Sequence, residues 1–399
     1  MNWRVCSPAS QSGFTLIEIL VTTGIMLAVL ASVFSILTPA QGTFQAQPEV
    51  SDLQQRVRVA VDALSRDLMM SGAGVYSGTL ARSIGALSNV AAPVLPYRAG
   101  GLDADPPGTF RTDAISLLYV PDTAAQTTTR VPLPPASDYL EVNNEPGCPL
   151  NDPVCGFQAG MQAVLFDTTG AMDTLVITGV QDSALSVRRR GRESTHRYDA
   201  GSVVAQVIAR TYYLKGDDGV QTSELRSYDG NQTDVPLVDN VVGLVFEYFG
   251  DPRPPVLRRP PTDPDGPWTT YGPKPPAPGV DADTSYGAGA NCVFAMSNGE
   301  QVPRLPDLSP GSSTLQRLTP AVLTDGPWCP GPGSAARYDA DLLRIRAIRV
   351  TVRVQANSRM LRGTGAMFTK PGTSHGGEIF VPDQELRFDV VPRNLNLGR

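Results

Sequence analysis

The chain has 399 residues with a formal net charge of −6, and 41% of its residues are hydrophobic. This length is enough for one large domain or two ordinary ones, while the negative charge disfavours nucleic-acid binding by the surface as a whole. The sequence contains no P-loop, no HExxH motif and only two histidines. We therefore expect no catalytic residues, no metal site and no cofactor, and hence no enzyme.

The most informative segment is an apolar run at residues 14–37, which contains one charged residue, Glu18. As a helix, this run is long enough to cross a hydrocarbon core of ~30 Å. A carboxylate inside such a span is costly unless it has a partner, which indicates that Glu18 has a function. Arg4 is the only basic residue before the run, so we expect a cytoplasmic N-terminus and a single span with everything after it outside the cytoplasm.

A second helical segment follows the apolar run. Apolar residues recur at steps of three and four over residues 50–71, which predicts an amphipathic helix whose apolar stripe packs on a sheet. Two glycines, Gly72 and Gly74, follow it, as is typical of the end of a helix. The whole of residues 38–74 is therefore interpreted as an amphipathic extension of the span.

The connection between the two helical segments contains three residues that are unfavourable inside a helix. They are Pro39, Gly42 and Pro48. Proline removes a backbone donor and clashes with the preceding turn, and glycine lowers helix propensity. We expect a break in the helix between residues 35 and 48.

Residues 75–250 are predicted to form the main β domain. After an irregular stretch to residue 113, short apolar or alternating runs bounded by turn residues predict antiparallel strands. We predict strands at residues 114–120, 161–166, 173–180, 184–188, 202–214, 224–228 and 238–249. One long helix followed by antiparallel strands predicts an α+β fold in which the helix lies across a sheet.

Residues 251–335 have a different composition from the rest, with a large share of the chain's 36 prolines. We interpret them as a Pro/Gly-rich insertion ordered on the domain, because aromatic residues and two cysteines are unusual in the alternative, a disordered linker. Residues 336–399 are expected to complete the β domain with strands at 341–355 and 384–391. The alternation in the first of these slips near Ile348, which indicates a bulge.

The cysteines give a disulfide hypothesis. Cys6 precedes the apolar run, and the other four are Cys148, Cys155, Cys292 and Cys329. An even number in an exported chain suggests disulfides. Of the three pairings, we favour Cys148 with Cys155 and Cys292 with Cys329, because each pair lies within one loop-like segment. Zinc binding is the weaker alternative, since there is no CxxC motif and the histidines lie far away in sequence.

Two kinds of charged cluster suggest ligands. The one dense basic cluster consists of Arg188, Arg189, Arg190 and Arg192; it could contact DNA phosphates, but a solvated hairpin turn is the favoured interpretation. Acidic loops at residues 263–266 and 281–283 contain carboxylates that could bind calcium. Neither matches an EF-hand loop, and we expect no metal there.

The chain reads Gly-Phe-Thr-Leu-Ile-Glu from Gly13 to Glu18. This string at the edge of a span resembles the class III signal of type IV pilins and type II secretion pseudopilins. The resemblance implies a leader at residues 1–13, cleavage by a prepilin peptidase between Gly13 and Phe14, and N-methylation of Phe14. It also implies that Glu18 neutralises the N-terminal amine of a neighbouring subunit, a buried pair that favours assembly in register.

Later segments resemble the PilW-like minor pilins and the related J-type pseudopilins. The similar segments are residues 53–74, 112–115, 235–241, 246–248 and 393–395. This resemblance implies a minor pilin of a type IV pilus that primes assembly and lies at or near the filament tip. The implied partners are other minor and major pilins, the inner-membrane assembly platform and, as a further candidate, a tip adhesin.

The implied location is the inner membrane, with a periplasmic C-terminal domain, and later the pilus at the cell surface. Two alternatives stay open. The first alternative is a J-type pseudopilin of a type II secretion system. The second is a membrane-anchored or tip-located adhesin whose insertion at residues 251–335 recognises a ligand.

Overall fold

A computed structural model of the chain describes residues 13–74, 87, 91–121, 125–135, 137–167, 171–189, 196–217, 222–258, 268–280, 285–334, 336–374 and 380–396, without the side chains of residues 37–43, 45, 217 and 222. The chain divides into two compact units, Met1–Leu53 with Ala356–Pro382 and Gln54–Gln355 with Asp383–Arg399. An N-terminal apolar helix and several antiparallel sheets confirm the predicted α+β class.

The N-terminal helix, α1, is continuous over Leu16–Met70. The predicted break between residues 35 and 48 is therefore wrong. Each proline there removes only one backbone N–H donor, and the hydrogen bonds on either side keep the helix intact. The helix ends as predicted: Gly72 has a φ of 74°, and its N–H donates to the carbonyl of Leu118 at 3.0 Å. Glycine adopts this left-handed conformation without strain.

Nineteen strands follow α1 in the part of the chain that the structure describes. In chain order they are β1 Val94–Leu95, β2 Ala114–Tyr119, β3 Gln126–Thr128, β4 Tyr139–Glu141, β5 Gln162–Phe166, β6 Met172–Gln181, β7 Ala184–Arg189, β8 Val203–Gln206, β9 Ile208–Asp217, β10 Thr222–Tyr228, β11 Asp234–Asp239, β12 Val241–Gly250, β13 Phe294–Ser297, β14 Glu300–Pro303, β15 Gln316–Leu318, β16 Trp328–Cys329, β17 Tyr338–Asp339, β18 Ile345–Val354 and β19 Gln384–Val390. Short 3-10 helices lie at Ala340–Arg344, Arg359–Leu361 and Arg393–Leu395.

A five-stranded antiparallel sheet, in the order β1-β2-β9-β10-β11, contacts the second half of α1. The carboxylate of Asp67 is buried there, where it accepts hydrogen bonds from the hydroxyls of Tyr119 at 3.0 Å and Tyr212 at 2.7 Å. Arg210 Nη1 lies 3.1 Å from the same carboxylate. The predicted apolar stripe of the helix is buried at Ala60, Leu64 and Leu68. These contacts place the helix on the sheet, as the amphipathic pattern predicts.

Between β2 and β9 the chain forms a six-stranded antiparallel sheet in the order β3-β8-β5-β6-β7-β4. Its two outer strands are joined: Thr129 pairs with Val142, and the Arg130 N–H donates to the carbonyl of Glu141 at 2.8 Å. Among the described residues the sheet is thus a closed barrel, a form in which no strand edge is left open. The sequence pattern predicts β5, β6, β7 and β8, but it predicts neither the outer strands β3 and β4 nor the closure of the sheet. Residues that fill the barrel include Leu140, Leu165, Leu175, Ile177, Leu185 and Val204.

The third large sheet has the order β15-β12-β18-β19. Its centre is the antiparallel pair β12 and β18, and β19 lies at one edge. The other edge strand, β15, comes from the proline-rich residues 251–335. The same stretch contains the hairpin of β13 with β14, and its β16 pairs with β17.

Two predicted strands are each divided in the structure. Residues 202–214 divide at Val207 into β8, in the barrel, and β9, in the five-stranded sheet. Apolar alternation continues through Val207, so the pattern could not show that the chain changes sheets there. Residues 238–249 divide at Asn240, whose φ of 56° separates β11 from β12. Asparagine tolerates this conformation better than most residues.

The predicted strand at residues 341–355 also begins later than expected. Asp339 caps the 3-10 helix Ala340–Arg344 with its side chain, and β18 begins only at Ile345. A bulge was expected near Ile348, but the irregularity lies at Arg346, which has no partner in β12. The cap accounts for the late start, because it satisfies a backbone donor that a strand would direct elsewhere.

Candidate assembly site at the start of the N-terminal helix

Glu18 has a partner within its own chain. The backbone N–H and the hydroxyl of Thr15 both donate to Glu18 Oε2, each at 2.9 Å. In return, the Glu18 N–H donates to the Thr15 hydroxyl oxygen at 3.3 Å. Since α1 begins at Leu16, Thr15 is the N-cap residue and Glu18 is the third helical residue, which is the geometry of a capping box. The carboxylate therefore stabilises the start of the helix on which it lies.

Thr15 is the functional candidate that the sequence reasoning missed. The signal was available, because Thr-Leu-Ile-Glu before an apolar run is the T-x-x-E spacing of a capping box. Gly13 and Phe14 precede the first helical residue, and the Phe14 side chain is 85% exposed. The candidate cleavage position thus lies in non-helical backbone next to an exposed aromatic residue, which leaves it accessible to a processing enzyme.

The helix beyond Glu18 is apolar and uncovered. Within the described residues, Leu16–Ile36 is the one helix long and apolar enough to cross a membrane, by length and composition, and none of it is buried. A continuous apolar surface of this extent is unusual on a soluble monomer. The exposure fits anchoring in a membrane, with Glu18 in the first turn.

The cysteines lie in two pairs. The Cα atoms of Cys148 and Cys155 are 4.5 Å apart, and those of Cys292 and Cys329 are 5.1 Å apart. Both separations lie in the range of disulfides, and the geometry fits the pairing favoured from the sequence. The second disulfide connects residues far apart within the proline-rich segment, where it joins the start of β13 to β16.

The basic cluster is only partly described, because Arg190 and Arg192 lie outside the described residues. Arg188 is exposed. Arg189 donates to the carboxylate of Asp173 at 2.8 Å and to the carbonyl of Pro134 at 3.2 Å. An arginine committed to two such partners supports the barrel and is less available for phosphate. The acidic loops at residues 263–266 and 281–283 also lie outside the described residues.

A different acidic cluster lies beside β18. Asp325, Asp339 and Asp341 have carboxylate oxygens within 4.8 Å of one another. Asp341 is paired with the buried guanidinium of Arg344, and Asp339 accepts hydrogen bonds from two backbone N–H groups. Because the carboxylates of Asp339 and Asp341 already have protein partners, we assign no metal to the cluster. Burial raises the pKa of Asp339 to about 6 and that of Asp341 to about 7, against the lowering effect of those partners.

The two raised pKa values predict that the chain loses stability as the pH rises from 4 to 8. The folded state holds these protons more tightly than the unfolded state, whose aspartates titrate near 3.9. Unfolding therefore releases protons, and the stabilisation present below pH 4 disappears as the pH passes through 6 and 7, by a few kcal/mol. Urea unfolding of the full chain in detergent at several pH values measures this slope.

The variant Asp325→Asn should flatten that slope, because the Asp325 charge contributes to raising both pKa values. The matched control is Asp182→Asn, which removes an exposed carboxylate in the turn between β6 and β7. Equal slopes in the two variants would contradict the prediction.

A G-x-S-x-G pattern occurs at Gly372-Thr373-Ser374-His375-Gly376. In a hydrolase this pattern forms a sharp turn between a strand and a helix. Here Ser374 is buried and follows irregular backbone, and its N–H donates to the carbonyl of Arg362 at 2.9 Å. The last two residues of the pattern, His375 and Gly376, lie outside the described residues.

Comparison with known proteins adds one finding. Residues 8–34 match the family described as the prokaryotic N-terminal methylation motif. No curated protein and no solved structure matches the chain. The motif supports a type IV pilin-like or pseudopilin protein, processed by a prepilin peptidase and assembled with other pilins. Together with the apolar helix Leu16–Ile36, it fits anchoring in a membrane.

Proposed function

We propose that this chain is a minor pilin of a type IV pilus, which primes assembly and lies at or near the filament tip. The observation that carries the proposal is the start of α1: a carboxylate in a capping box at the first turn of an exposed apolar helix, inside the matched motif. Cleavage after Gly13 would leave the Phe14 amine close to this turn. Glu18 of one subunit would then pair with the amine of the next.

The size of the folded part supports a terminal position. Residues 54–355 and 383–399 form one unit with three large sheets, one of them the closed barrel. Packed helices lie about 8–10 Å apart, so a filament built on such helices has limited room beside each one for a unit this large. A position at the end of the filament removes that restriction, because the unit then has neighbours on one side only.

The test is deletion of the gene and localisation of the protein. We expect the mutant to lose most surface filaments, with recovery on expression of the wild-type chain, and antibody–gold label at one end of each filament. Normal filament numbers, or label along the whole length, would contradict the proposal. Normal filaments with a loss of exoprotein secretion would instead favour a J-type pseudopilin, which the shared N-terminal motif also allows.

A further inference from the structure

One turn of the five-stranded sheet carries a motif that the proposed assembly does not use. The chain reads Asn-Gln-Thr from Asn231 to Thr233, which is the pattern Asn-x-Ser/Thr with a residue other than proline in the middle. In exported chains this pattern is the acceptor for N-glycosylation and is typical of surface loops. No other asparagine in the sequence has a serine or threonine two residues after it. The chain therefore offers a single acceptor of this kind.

The motif forms most of the turn that connects β10 to β11, at residues 229–233. Asp229 fixes the shape of this turn. Its Oδ1 accepts hydrogen bonds from the N–H groups of Asn231 at 2.8 Å, Gln232 at 3.0 Å and Thr233 at 3.0 Å, and its carboxylate also interacts with the Thr233 hydroxyl. The Asp229 N–H donates to the carbonyl of Thr233 at 2.9 Å. An aspartate turn of this kind holds the backbone without using the Asn231 side chain.

The side-chain amide of Asn231 is available at the surface. The backbone of this residue is occupied, since its carbonyl accepts a hydrogen bond from the Tyr228 hydroxyl at 3.1 Å. Its amide group, in contrast, makes no hydrogen bond within the described part of the chain. Asn231 is partly exposed, and the next two residues, Gln232 and Thr233, are exposed. A substituent on the amide nitrogen would therefore break no hydrogen bond of the folded chain.

The turn also lies next to an open edge of the sheet. β11 is the last strand of the five-stranded sheet, and among the described residues it pairs with β10 alone. The side chain of Val235 on this strand is 42% exposed. An open edge strand with exposed apolar residues is a site at which chains pair wrongly, and proteins cover or charge such edges. An oligosaccharide on Asn231, four residues before Val235, would cover the beginning of this edge.

We propose that Asn231 is an N-glycosylation site and that the exported chain carries an oligosaccharide there. This inference rests on the proposed function, because it requires the residues after the span to lie outside the cytoplasm. The donor is an oligosaccharide linked to a polyprenyl diphosphate. The amide nitrogen of Asn231 forms a bond to C1 of the first sugar and loses one proton, while the bond from C1 to the phosphate oxygen breaks and polyprenyl diphosphate leaves. A sugar at this turn requires the turn to face solvent in the assembled filament.

The test is mass spectrometry of the full chain, purified from the membranes of the cells that naturally produce it. We expect most molecules to carry the added mass of one oligosaccharide, and fragmentation of the peptides to place that mass on Asn231. The variants Asn231→Gln and Thr233→Ala should lose nearly all of the modification. Thr233→Ser keeps the hydroxyl that the acceptor pattern requires, so it should remain modified.

The matched control is Asn298→Gln, at an exposed asparagine in the turn between β13 and β14 that has Glu300 two residues later. Its modification should equal that of the wild-type chain. An unmodified wild-type chain would overturn the proposal, and so would an added mass that persists in Thr233→Ala or lies on a serine or threonine. Digestion by a protease added to spheroplasts reports export separately. An exported but unmodified chain contradicts the glycosylation alone, whereas a chain that is not exported also contradicts the proposed function.

Discussion

Replacing Arg344 with methionine should lower the free energy of unfolding by about 3–5 kcal/mol, the usual cost of removing one partner from a buried ion pair. The Arg344 side chain is completely buried. Its Nη1 donates to the carbonyls of Asp251 at 3.2 Å, Pro252 at 3.1 Å and Arg253 at 2.9 Å. Its other nitrogens donate to the carbonyl of Pro306 and the carboxylate of Asp341. Methionine would fill part of the space and remove the guanidinium donors from the carbonyl of Pro306 and the carboxylate of Asp341. The carbonyls of Pro252 and Arg253 would keep the Leu308 N–H and the Tyr271 hydroxyl as donors.

Urea unfolding of the full chain in detergent, followed by tryptophan fluorescence, measures the loss. The matched control is Arg349→Met, on the strand β18 that follows the 3-10 helix of Arg344. Arg349 pairs with Asp389 at 2.6 Å, and both side chains are well exposed, by 32% and 54%. A pair of this kind contributes about 0–1 kcal/mol. Similar losses in the two variants would show that burial of Arg344 does not have the importance that we assign to it.

A second change separates the ion pair from the carbonyl contacts. Adding Asp341→Asn to Arg344→Met removes the carboxylate that the first substitution leaves buried and unpaired. At pH values above the raised pKa of Asp341, where its carboxylate is charged, we expect the double variant to be more stable than Arg344→Met alone, because an uncompensated buried charge costs more than a neutral amide. At lower pH the carboxyl is protonated, and the two variants should have similar stability. The remaining loss in the free energy of unfolding then measures the hydrogen bonds of Arg344 to four carbonyls. These bonds connect the 3-10 helix before β18 to the proline-rich segment.

These two arginines also show the limit of prediction from sequence. Arg344 and Arg349 both belong to the run in which charged residues alternate with apolar ones, and the pattern assigns both to the solvent face. Three of the carbonyl acceptors of Arg344 lie about ninety residues earlier in the chain, and no local pattern reports a contact over that separation. The same reason applies to the barrel, whose closure depends on the pairing of Thr129 with Val142.

What the sequence does predict well is local. The amphipathic stripe of α1 gives its buried face, and hydrophobic runs bounded by turns give strands such as β2, β5 and β19. The candidate site at Glu18 is likewise local, since Thr15 lies three residues away. The helix through Pro39 and Pro48 is the exception, because hydrogen bonds on both sides of each proline outweigh a local preference for a break.

Replacing Glu18 with alanine should abolish most incorporation of the subunit into filaments, while membrane insertion and leader cleavage continue. In the proposed assembly, the carboxylate pairs with the amine of a neighbouring Phe14 inside the apolar layer. Loss of one partner leaves the other charge buried and uncompensated, at a cost of about 3–5 kcal/mol for each contact. Sheared filaments and membrane fractions, compared by immunoblot, measure incorporation and insertion separately.

The capping box makes a sharper version of this experiment necessary, because Glu18→Ala removes both the charge and the hydrogen bonds to Thr15. Glu18→Gln keeps an acceptor for Thr15 but has no charge, and we expect it to assemble as poorly as Glu18→Ala. Thr15→Val keeps the charge and loses the cap, a change of about 0.5–2 kcal/mol at the helix start, so it should assemble better. Thr23→Ala, at a hydroxyl that donates to the carbonyl of Ile19, controls for polarity in the span. If Glu18→Gln assembles normally while Thr15→Val does not, helix capping rather than charge pairing is the function of this carboxylate.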